Sequence, residues 1–153
     1  EMTSSLVGSE MCIRDRNLKQ ALINEDAGDI RIFAKIENQQ GMEHLGELLP
    51  HCDEIVIARG DLGNAMPLAK LPCAQEEIAD QCRKHGRAFM VVTQMLASME
   101  HRAEVSDIFR AVQQGAASVM LTGETAAGEY PLEAMEVLVD TVREAEWYLE
   151  ERR

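Results

Sequence analysis

Short, β-branched apolar runs alternate with amphipathic stretches four times along this chain, and this pattern most narrows the folds open to it. The runs are Ile30–Glu37 (IRIFAKIE), Glu54–Arg59, Ala88–Gln94 (AFMVVTQ) and Ser118–Gly123 (SVMLTG). Each reads as a strand. Between and after them lie helical patterns. Glu43–Leu49 places Leu45, Leu48 and Leu49 on one side, and Pro50 closes it. The stretch after Pro67 and Pro72 runs to His85 with Ile78 and Cys82 at i, i+4, and Gly86 ends it. Ser106–Asp107 is expected to cap a helix through Gln114, stopped by Gly115. Pro131 opens the last helix, with Leu132, Met135, Leu138 or Val139, Val142 and Leu149 as its apolar stripe. Strand–helix alternation of this kind predicts parallel strands joined by right-handed crossovers.

Two architectures fit, an open doubly wound sheet or part of a closed barrel. The sequence holds neither GxGxxG nor GxxxxGK[ST], so the common dinucleotide and P-loop signals are absent. Polar residues instead follow every strand: Glu37–Asn38, Arg59–Gly60–Asp61, Thr93–Gln94 and Thr122–Gly123–Glu124–Thr125. A site assembled from all the strand ends is barrel behaviour, and a whole barrel takes ~250 residues. This chain has 153. It is therefore read as α/β, with parallel (β/α) units forming the second half of a TIM barrel.

A formal net charge of −12 argues against nucleic acid and anionic membranes as partners. It fits a cytoplasmic protein, or one that holds divalent cations. No apolar run approaches the ~20 residues that span a bilayer. Cys12, Cys52, Cys73 and Cys82 form no CxxC pair and read as thiols of a reducing compartment. Ser5–Arg16 (SLVGSEMCIRDR) has no sustained periodicity and resembles the conceptual translation of a sequencing adapter. Residues 1–16 are accordingly set apart as a non-native segment, the alternative being an irregular N-terminal arm, and the barrel segment is taken as 17–153. Leu18, Ala21 and Leu22 open it with a short helical stripe.

The pivotal stretch is Glu54–Gly63, EIVIARGDLG. Ile55–Ala58 is short enough and apolar enough to be buried on both faces. It breaks at once into an arginine, two glycines and a carboxylate. In parallel sheets, ligands sit at such strand ends. The plainer alternative is a strand-to-helix turn with Asp61 as a cap. On the first strand, alternation puts Phe33, Lys35 and Glu37 on one face. Lys35 and Glu37 could form a structural ion pair. If Asp61 also converges, two carboxylates ~4 Å apart at an effective dielectric of ~20 repel by ~4 kcal/mol. A divalent cation removes that cost, and oxygen-only ligation with few protein donors suits Mg²⁺. Thr93 offers a hydroxyl at its strand end, although a β-branched packing role is commoner. Thr122 is similar, and Glu124 is expected to cap the following turn. The four histidines form no cluster with cysteines and receive no metal role.

The phrases AKIENQQG (Ala34–Gly41), IARGDLG (Ile57–Gly63), VVTQMLASM (Val91–Met99), RAEVSDIF (Arg102–Phe109) and LTGETAAGEYPLEA (Leu121–Ala134) resemble, in this order, the pyruvate kinase family. The likeness covers the chain from about Asn17 onward. It implies the last four βα units of a (β/α)₈ barrel. It also implies transfer of a phosphoryl group from phosphoenolpyruvate to ADP, giving pyruvate and ATP in glycolysis, with Mg²⁺ or Mn²⁺ and usually K⁺. Lys35 matches the lysine that stabilises the migrating phosphoryl group, and Glu37 and Asp61 match the metal ligands. Gly60, Asp61 and Thr93 match the positions that hold the substrate carboxylate, and Thr93 or Thr122 with water would relay a proton. Backbone N–H groups at the start of the short helix after Asp61 would assist in holding that carboxylate. The K⁺ ligands, the phosphate-binding arginine, the lid domain and the C-terminal domain have no counterpart in this segment.

There are departures from the family pattern. Met99–Glu100–His101 runs straight into Arg102, where the family has a longer Pro–Thr-containing stretch. Thr122 stands where serine is commoner, and Asn64–Ala65–Met66–Pro67 replaces an acidic-Ile-Pro run. The longer parent is expected to be a homo-oligomer. Two further readings stand beside this one: a Mg²⁺-dependent, enolate-forming carbon–carbon lyase, and a half-barrel without activity as it stands.

Overall fold

The computed structural model describes residues 9–96 and 102–152, with side chains for 17–96 and 103–152. Its centre is a sheet of four strands in the order β1-β2-β3-β4: Phe33–Ile36, Glu54–Ala58, Ala88–Val92 and Ser118–Met120. Every neighbouring pair is parallel. Sequential, parallel neighbours with helical crossovers are the (β/α) pattern anticipated from the alternation.

Register decides what each face carries. Lys35 pairs with Val56, Val56 with Met90, and Met90 with Ser118. Ala58 pairs with Val92, and Val92 with Met120. Cross-strand partners share a face, so these residues line one side of the sheet. The opposite side carries Ile36, Ile55, Ile57, Phe89 and Val91, which join the main core with Leu45, Leu48, Ile78, Cys82, Ile108 and Leu138. Among the described residues, helices pack on that side. Val56, Ala58 and Val92 form a separate small cluster on the other side, with Met90 packed against it. Phe33 and Met120 stand 44% and 41% exposed at its two margins. Strand β2 is buried throughout: its apolar run Ile55–Ala58 by packing, and Glu54 with its carboxylate accepting from Arg31 and Ser118.

The helices differ from the sequence reading in instructive ways. Helix α1 (Ser9–Asn24) crosses residue 16 without a break. The expected helix over Glu43–Leu49 is split into α2 (Gln39–Glu43), α3 (Leu45–Leu48) and a 3₁₀ turn, Leu49–His51. Pro50 sits inside that turn rather than closing it, because proline is tolerated where the first N–H has no partner. The Asn38 side chain caps α2 by accepting from the Gly41 N–H. Helix α4 (Arg59–Ala65) starts directly at the end of β2. Its N-cap is Ala58, so Asp61 is a first-turn residue and not the cap. Helix α5 (Leu71–Lys84) has His85 as its C-cap, followed by Gly86, whose φ of +61° is the left-handed value that favours glycine.

Helix α6 (Arg102–Gln113) begins a turn before Ser106–Asp107, which therefore lie inside it. Gly115, at φ +86°, follows it as expected. After α7 (Gly123–Ala126), helix α8 (Pro131–Glu150) begins at the expected proline. Its buried line is Ala134, Leu138 and Ala145. Leu132 is 76% exposed and Met135 is also exposed, so neither belongs to the core stripe. The shortened loop at Met99–Glu100–His101 lies outside the described residues. Among those that are described, no helix is long and apolar enough to cross a membrane.

Candidate active site at the strand ends

Because the strands are parallel, the residues that follow them gather at one rim. Lys35, on the uncovered face of β1, directs its ammonium to two acids. Its Nζ lies 2.5 Å from Glu37 Oε1 and 3.0 Å from Asp61 Oδ2. Glu37 comes from the end of β1 and Asp61 from the first turn of α4, so two elements meet at one cation. The hydrogen bond to Glu37, assisted by that to Asp61, holds the lysine above its usual range, against a smaller opposing effect of desolvation. All three side chains keep solvent contact.

The donor set fits a hard divalent cation. Glu37 and Asp61 both lie within reach of one point now served by the ammonium, and both open to water. Mg²⁺ binds through one or two carboxylates and completes its octahedron with water and substrate oxygens. Among the described residues no cluster of three or more His, Cys, Asp or Glu occurs.

Gly60 and Thr93 form the second half of the rim. The Gly60 N–H donates to Thr93 Oγ1 at 2.8 Å. A Cβ at Gly60 would stand 3.3 Å from that oxygen, so the close approach depends on glycine. Strand β3 stops at Val92, and the expected strand residues Thr93 and Gln94 take φ values of +69° and +56°. A β-branched residue in that region is a true outlier. Such strain costs of order 1–3 kcal/mol and persists only where the surroundings impose it.

The surroundings here centre on Arg59, with a side chain only 7% exposed. Its Nη2 donates to Thr93 O and Gln94 O, both at 2.9 Å, and its Nε to Thr93 O at 3.2 Å. Nη1 pairs with Asp107 of α6 at 2.9 Å. Sequence reasoning gave neither Arg59 nor Asp107 a role at the site. The available signal was an arginine placed directly after a strand buried on both faces. Thr122 turns to its own loop: its N–H donates to Glu124 Oε2 at 2.8 Å. Glu124 also accepts from the Met95 N–H at 3.2 Å, so one buried carboxylate ties the ends of β3 and β4 together.

Fold and rim together define a parallel β/α barrel segment with an ammonium and two carboxylates at the carboxyl ends of its strands. The family model described as "Pyruvate kinase, barrel domain" matches residues 12–135. The chain is also similar to the pyruvate kinases of Staphylococcus aureus strains USA300, COL and N315, at 41% identity over 130 residues. The match takes in 82% of this chain and 22% of each relative. This chain belongs to the pyruvate kinase family, and it spans about a fifth of the length of those curated relatives.

Proposed function

We propose that this segment carries the phosphoryl-transfer rim of a pyruvate kinase, acting on phosphoenolpyruvate and ADP. The observation that supports this most is the single ammonium held between Glu37 and Asp61 at neighbouring strand ends. Phosphoryl transfer asks for positioning and charge neutralisation more than for covalent chemistry. In this reading Lys35 faces the migrating phosphoryl group. Glu37 and Asp61 would hold Mg²⁺ or Mn²⁺, which supplies neutralisation of charge on the substrate oxygens when bound. Gly60, Asp61 and the Thr93 hydroxyl receive the substrate carboxylate. In the structure the Gly60 N–H is directed at Thr93 Oγ1, so the two would have to share or exchange that donor as the substrate binds. Thr93 or Thr122, through water, is the route for protonating the product enolate.

The same reading carries K⁺ with ligands outside this segment, a homo-oligomeric longer protein, and a cytoplasmic setting in glycolysis. The 153-residue chain alone is read as inactive. The test begins with Mn²⁺ titration of this chain, followed by water-proton relaxation. Glu37→Gln and Asp61→Asn should each weaken the ion by about tenfold or more, the size of one lost charged ligand. Lys35→Ala should leave the affinity in place or raise it. In a full-length protein carrying this segment, Lys35→Ala should collapse pyruvate formation from phosphoenolpyruvate and ADP. Retained turnover in that variant, or Mn²⁺ affinity indifferent to both acids, would sink the assignment.

A further inference from the structure

We infer that Arg59 is a positioning residue whose buried guanidinium imposes the left-handed Thr93–Gln94 bend and thereby sets the Thr93 hydroxyl against the Gly60 amide. This rests on the reading of Gly60, Asp61 and Thr93 as the place where a substrate carboxylate binds. The two contacts come from consecutive residues of α4 and converge on one residue. Arg59 takes the Thr93 backbone through Nε and Nη2, and Gly60 takes the Thr93 side chain through its N–H. Held at its carbonyl and at its hydroxyl, Thr93 has little freedom to relax from φ +69°.

An ordinary buried ion pair does not account for the arrangement. Of the four hydrogen bonds the guanidinium makes among the described residues, three go to the Thr93 and Gln94 carbonyls and one to Asp107. The carboxylate neutralises the charge, and the carbonyls receive the geometry. Nη2 alone holds both carbonyls, and the planar fork adds Nε on the Thr93 carbonyl and Nη1 on Asp107 in one fixed plane, a set that the compact ammonium of a lysine does not reproduce. The position of Arg59 is itself dictated by the fold. It follows Ala58, the last residue of a fully buried strand, so its side chain enters the space beneath the neighbouring strand end.

The test uses the 153-residue chain and three readings: exchange of the Gly60 amide by NMR, Mn²⁺ affinity, and pyruvate affinity of the Mn²⁺-loaded chain. Arg59→Met should speed Gly60 exchange and weaken pyruvate, each by about tenfold or more, while Mn²⁺ affinity stays within about twofold. Thr93→Val, which keeps the branched shape and removes the hydroxyl, should reproduce the pyruvate loss with Arg59 intact. Arg59→Lys should fall between wild type and Arg59→Met. A role confined to folding would lower Mn²⁺ and pyruvate binding together, and that parallel loss counts against the inference. Unchanged Gly60 exchange in Arg59→Met overturns it outright. If Arg59→Met does not fold, Arg59→Lys is read on the same criteria. Failure of the wild-type chain to bind Mn²⁺ or pyruvate would strike the functional reading, and the amide exchange would still decide the clamp.

Discussion

Buried and exposed thiols of this chain should differ sharply in reactivity. Burial pushes the Cys82 thiol up to about 12, with a smaller contribution from nearby Cys52. The thiolate is the nucleophile, so Cys82 is shielded twice, by access and by protonation. Cys73 lies exposed on α5. Iodoacetamide at pH 8, followed by peptide mapping, should label Cys73 within the native chain and Cys82 only after unfolding. Equal labelling of the two would mean that α5 does not pack as described. At this scale Lys35 and Glu37 were nameable from strand alternation and Asp61 from its place just after a buried strand, while the carboxylate-holding roles of Gly60, Asp61 and Thr93 came from the family resemblance. Arg59 and Asp107 were not, because their partnership joins residues 48 positions apart.

Helix-to-helix contacts carry their own electrostatics. Glu76 on α5 accepts from Gln114 Nε2 and from Arg110 Nη2, both at 2.6 Å. The hydrogen bond from Gln114, then the attraction of Arg110, holds its carboxyl below the ordinary value of 4.5. A carboxyl depressed in the folded state adds stability above its unfolded pKa and loses that contribution as pH falls through the folded one. Glu76→Gln should therefore lower the melting temperature at pH 7 modestly, the site being partly open to solvent. The gap to wild type should close as pH falls below about 4.5, the range in which this carboxyl takes up its proton. A gap independent of pH would refute the ionic account. On α8, Leu138→Ala should cost ~2–5 kcal/mol by leaving a cavity. Leu132→Ala, on the same helix but exposed, should stay within ~0.5 kcal/mol. Urea titration of both variants distinguishes the observed helix face from the one that spacing alone suggests. The periodicity of α8 allowed several leucine and valine stripes, and only the direction of approach to α6 and α7 selected Ala134, Leu138 and Ala145.

At the scale of the whole molecule, the described residues form a sheet covered by helices on one side. Among the described residues, strands β1 and β4 each pair along one edge only, and no helix lies over the face bearing Val56, Ala58 and Val92. Open edges and an apolar face favour association. The 153-residue chain should elute from a sizing column at a volume that shifts with concentration, and it should form no pyruvate from phosphoenolpyruvate and ADP. A sharp, concentration-independent monomer with cooperative melting would contradict the first expectation, and measurable turnover the second. The sequence by itself determined the parallel β/α order, the fully buried second strand and the rim composition, since strand length, β-branching and helix periodicity are local properties. Tertiary structure alone decided the left-handed turn at Thr93 and the start of α6 ahead of Ser106. It also decided which side of α8 is buried and the closure of Arg59 onto Thr93, Gln94 and Asp107. Each of these is fixed by contacts between residues far apart in the chain, and propensity at one position carries no record of what another segment will bring beside it.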